Sequence, residues 1–153
     1  MGAWLIGANF YAAVGAWHHY GGGSRKSELY GIWDIDQLLI DGKSREPLAT
    51  DNERGRRAIF ESPGRMAFQR MDDSLARFNA QISAQDQTLT LTRNDDKNWQ
   101  AHFTYKRGPG DHLEADGSMD GQPIHMVLHR KDRNLFLIVS RGFHWISEIP
   151  FNR

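Results

Sequence analysis

From Ser27 onward the apolar residues recur at every second position in short runs, and turn residues interrupt those runs at close intervals. No other feature constrains the fold as much, because a period of two belongs to strands with one buried face. Residues 98–107 show it best. Trp99, Ala101, Phe103 and Tyr105 share one face, and Gln100, His102, Thr104 and Lys106 share the other. Leu89 and Leu91 alternate with threonines, and Ile124, Met126 and Leu128 alternate with His125, Val127 and His129. The pattern predicts strands over 29–40, 56–61, 65–71, 74–83, 88–93, 98–107, 112–119, 122–129 and 134–140. Asp41-Gly42, Pro63-Gly64, Gly108-Pro109-Gly110 and Asp120-Gly121 mark turns between them, and Asp120-Gly121 is a strong two-residue hairpin signal. Residues 43–55 are polar, contain Pro47, and read as a loop with a helical turn. No long amphipathic helix separates the strands. The expectation is a mainly β chain, an up-and-down antiparallel barrel of about 8–10 strands, with an interior that holds side chains or one small ligand.

The 153 residues suffice for one domain with a real core. Lys plus Arg equals Asp plus Glu at 19 each, so no global field draws the chain to nucleic acid. Arg54, Arg56 and Arg57 make a basic cluster, but Asp51, Glu53 and Glu61 offset it. Cysteine is absent, which excludes disulfides, thiol catalysis and cysteine-ligated zinc.

The N-terminal segment stands apart. Residues 1–24 contain no Asp, Glu, Lys or Arg, and Arg25-Lys26 then arrive together. Ala8, Ala12 and Ala16 recur every fourth residue, which gives a helix a smooth face for packing on other membrane helices. Trp17 and Tyr20 beside Arg25 and Lys26 suit a membrane–water boundary. A secretory signal would carry its positive charge first, and a full span needs about 20 apolar residues. We therefore read 1–24 as a membrane-proximal helix with a Gly-rich linker, and 25–153 as the barrel. The plainer alternative is a helix whose apolar face closes one barrel mouth.

Two stretches bear on how the barrel seals. Gly31-Ile32-Trp33 opens the first strand, and Ser140-Arg141-Gly142-Phe143-His144-Trp145 lies near the end of the chain. Trp33 is expected to plug the floor while the Arg141 guanidinium stacks on its indole. These elements resemble the calycin group, the lipocalins and their lipocalin-like relatives. Residues 30–153 more specifically resemble the soluble C-terminal region of DoxX-like bacterial membrane proteins. The resemblance is carried by Tyr30-Gly31-Ile32-Trp33-Asp34, Ile40-Asp41-Gly42, Arg56-Arg57 with Phe60, and Pro63-Gly64-Arg65. Gln69-Arg70-Met71-Asp72, Leu89-Thr90-Leu91-Thr92, the segment 140–145 and Pro150-Phe151-Asn152-Arg153 continue it. It implies a lipocalin-like barrel in a membrane context. The residues before Ser24 look like the tail of a preceding membrane helix, so the chain is read as a truncated or split form or a separate subunit. Its expected partners are a membrane or membrane-protein subunits, reached through the helix, with the barrel on the cytoplasmic side.

Trp99, Phe103, Tyr105 and Met126 are the candidate interior lining for a small apolar ligand, with plain core packing as the competing reading. His125 and His129 would sit about 13 Å apart on a strand, too far to share one metal, so they are assigned to a solvated face. Ser140 and His144 lack a nucleophile elbow. The leading reading is a non-catalytic binding or interaction module without a cofactor. The alternative is a haem-binding barrel or small enzyme using inward polar groups near His144.

Overall fold

A computed structural model describes residues 2–20, 23, 26–48, 50–51 and 54–136. It contains helix α1 (Gly2–Tyr20) and strands β1 (Gly31–Ile40), β2 (Lys43–Ser44), β3 (Gly55–Ser62), β4 (Arg65–Arg70) and β5 (Leu75–Ser83). Strands β6 (Thr88–Thr92), β7 (Gln100–Arg107), β8 (His112–Met119) and β9 (Gln122–Arg130) complete the sheet. From β3 onward each strand pairs antiparallel with the next, β1 pairs with β3, and β1 pairs again with β9. Eight strands thus close into a ring, with β2 added beside the far end of β1. The fold is the expected closed antiparallel barrel with an N-terminal helix. Closure removes the free sheet edges that would otherwise recruit other chains.

The turns follow their residues. Asp120 and Gly121 both take positive φ, 50° and 79°, between the paired Met119 and Gln122. That is the backbone of a two-residue hairpin whose twist matches its flanking strands. Asp41 and Gly42 do the same between Ile40 and Lys43, with φ of 51° and 72°.

One irregularity matters for the interior. The β1–β9 register shifts between Ile35 and Gln37, and Asp36 and Gln37 are both exposed. Trp33 and Ile35 face inward before this bulge, and the buried Leu38 faces inward after it. An inserted residue bends the strand and resets the alternation. The bent half of β1 leaves β3 and continues along β9, with β2 beside its end.

Two expected elements differ. The polar stretch at 43–55 begins as β2 and ends where β3 starts at Gly55, with no helix among its described residues. The expected strand over 134–140 opens as a 3-10 turn, Arg133–Leu135, and 137–140 lie outside the described residues. The barrel is closed by β9 instead. From Trp33 to Ile40, β1 already has its partner in β9, so that edge needs no further strand.

Among the described residues α1 packs against no strand. Its Ile6, Phe10 and Tyr11 are 72%, 72% and 83% exposed, so it does not close a barrel mouth. No described helix is long and apolar enough to cross a membrane.

Candidate functional site

The interior divides into a solid half and a hollow half. At the solid end Trp33 is fully buried, and its indole N–H donates to the Leu29 carbonyl at 2.8 Å. Tyr105 is buried beside it, and its hydroxyl donates to Glu28 Oε2 at 3.1 Å. Burial, reinforced by the hydrogen bond and the nearby Glu28 charge, pushes the Tyr105 hydroxyl up to about 12. The Arg107 guanidinium lies 5.9 Å from the Trp33 ring centroid and donates to the Glu28 carbonyl at 2.9 Å. The cation over the indole is therefore Arg107. Arg141, expected in that role, lies outside the described residues, as does His144.

The glycine of the Gly31-x-Trp33 element has a local reason. Its φ of 135° disfavours any side chain, and an added Cβ would sit 3.1 Å from the Arg130 Nε. Arg130 stands opposite Trp33 in the β1–β9 ladder.

At the other end the barrel opens into a cavity of about 590 Å³. Ile35, Leu38, Phe68, Ile124 and Met126 form its apolar wall, and Arg70, Arg77, Arg93 and Asp95 lie at its rim. An aromatic ladder runs down one side. The Arg93 guanidinium lies 5.9 Å from the Trp99 ring centroid, and Trp99 stacks on Phe78 with centroids 4.8 Å apart. Phe78 then meets Phe68 edge-on at 5.7 Å. The size and lining suit one small molecule with an apolar body.

Of the expected lining residues, Trp99 and Met126 do border the cavity, whereas Phe103 and Tyr105 are sealed in the packed half. Ala8, Ala12 and Ala16 lie exposed along the unpartnered α1. His125 and His129 face away from the buried Ile124, Met126 and Leu128, on the outer surface. There His125 pairs with Asp116, and the His129 Nδ1 lies 2.7 Å from an Asp36 oxygen. Beside them burial would raise the Asp34 pKa, but the Arg57 hydrogen bond and charge, together with Lys131, outweigh it and lower it. Among the described residues no group of His, Asp and Glu could hold a metal ion.

Sequence reasoning missed Phe68, Phe78 and Arg70. The signal was present in β4, where Met66, Phe68 and Arg70 fall on alternate positions of one face. The short run and its charged end hid it.

No family model, curated protein or solved structure matches this chain.

Proposed function

We propose that this is a lipocalin-like, non-catalytic binding module whose barrel mouth holds a small apolar molecule. The cavity carries the reading. About 590 Å³ of space, bordered by Phe68, Phe78, Trp99, Leu38, Ile124 and Met126, opens at one end of an otherwise packed barrel. Burying an apolar ligand there would release water from that wall at roughly 25 cal/mol per Å². The solid half below it supplies a rigid frame, so the aromatic ladder is organised before a ligand arrives.

Membrane association belongs to the same proposal. The helix exposes Ile6, Phe10, Tyr11 and Trp17 with no strand packed on it among the described residues, and the likeness to the C-terminal region of DoxX-like membrane proteins supports that setting. The module then sits on the cytoplasmic side, on a membrane or a membrane-protein subunit reached through α1.

Native mass spectrometry on protein extracted gently from its source tests the binding reading. The expected result is an added mass of one small apolar molecule, removable with organic solvent. Protein of bare chain mass, unable to take up any apolar probe, would overturn it. A Soret band after haem addition would instead favour a haem-binding barrel.

A further inference from the structure

We infer that the molecule bound in the barrel mouth carries one anionic group, and that Arg70 receives it. The inference rests on the mouth binding an apolar ligand at all, and it adds the ligand's polar chemistry. Arg70 ends β4 on the same face as Met66 and Phe68, which are buried in the core. The pleat therefore carries its side chain over the cavity it borders.

The other rim charges are occupied or turned away. Arg93 is held in a two-point pair with Asp95, at 3.0 and 2.6 Å. Asp72 accepts the Ser74 backbone N–H at 3.0 Å within its own turn and feels the Arg70 charge, but makes no ion pair with it within 4 Å. Asp73 pairs with Arg56 at 3.2 Å and accepts from Gln69. Asp96 accepts the Asn98 backbone N–H at 2.9 Å, and Asp120 lies in the β8–β9 hairpin, where it adds only to the field on Arg93. Arg77 also borders the cavity, but it alternates on β5 with Phe78, which packs against the core, so its side chain starts from the outer face. Arg70 shares the register of the buried Met66 and Phe68 and borders the cavity with its side chain exposed, and no ion pair within 4 Å holds it among the described residues.

A guanidinium above an apolar wall favours a particular occupant. A carboxylate, sulfonate or phosphate can take two parallel N–H bonds from it while the attached apolar body lies against Trp99 and Phe78. Arg70 is exposed at the rim, so a neutral apolar ligand would leave its charge to water and gain nothing from it. The ligand class is an amphiphile with a flat or aliphatic body and one acidic head.

Fluorescence titration with two probes of nearly the same body tests this. Anilinonaphthalenesulfonate carries the anion, and phenylnaphthylamine lacks it. Wild type is expected to bind the sulfonate about tenfold more tightly, and Arg70→Gln to remove that advantage while leaving the neutral probe within about twofold. Raised salt should weaken sulfonate binding in wild type and much less in Arg70→Gln. Ala76→Trp, which fills the cavity, should abolish both. If neither probe binds, or Ala76→Trp changes nothing, the mouth is not a binding site and both readings fall. If both probes bind equally, or Arg70→Gln leaves the sulfonate unaffected, this inference is overturned and the apolar pocket stands.

Discussion

The Trp33 indole N–H donates to the Leu29 carbonyl at 2.8 Å, and both side chains are fully buried where the chain enters the barrel. That bond ties the approach segment to the first strand and satisfies the carbonyl of the fully buried Leu29. Trp33→Phe removes the donor and leaves a small void beneath Arg107. We expect a loss of about 3 kcal/mol, from an orphaned buried acceptor plus lost packing, read as a lowered urea midpoint. An unchanged midpoint would remove Trp33 from its closing role.

Gly117 stands on β8 opposite Phe103 of β7. An added Cβ would lie 1.9 Å from the His102 carbonyl oxygen and 2.7 Å from the Phe103 Cα. Backbone cannot retreat as a flexible side chain can, so Gly117→Ala should cost about 3 kcal/mol or open the barrel locally. Hydrogen exchange along β7 and β8 would locate the damage, and an undisturbed ladder would contradict the pairing.

Tyr105 predicts an alkaline limit. Its hydroxyl is raised to about 12 in the folded protein, so the fold favours the neutral form. The resulting stability is complete below the ordinary tyrosine value of about 10 and is lost as pH climbs from there toward 12. About 2–3 kcal/mol should disappear across that window. Tyr105→Phe cannot ionise, so its urea midpoint should fall less steeply over the same range. Parallel curves for the two proteins would refute the assignment.

The helix should be thermodynamically separate from the barrel, because α1 meets no strand among the described residues. Deleting residues 1–24 is expected to move the thermal midpoint by no more than about 2 °C. The same deletion should abolish flotation with lipid vesicles, which the full chain is expected to show. A truncated protein that still floats would place membrane attachment elsewhere.

Much of the fold was legible locally. Alternation along β7 named Trp99, Ala101, Phe103 and Tyr105 as one face, and the last three are buried with Trp99 packed against them. Asp120-Gly121 announced its hairpin because only certain residues accept two consecutive positive φ values. The candidate site was half legible. Trp99 and Met126 border the cavity, but alternation cannot say at what height along the barrel a residue sits, so Phe103 and Tyr105 entered the same list.

What the chain determined alone was the set of strands, their turns and most of their inward faces, since period and turn chemistry are properties of neighbours in sequence. Only the closed ring decided the rest. The bulge at Asp36–Gln37 moved Leu38 to the inside, where strict alternation from Trp33 would put Gln37. Closure brought Arg107 over Trp33, and it left Arg70 at the open end above an unfilled wall. Those meetings depend on the stagger and bending of strands far apart in the chain, which no local pattern encodes.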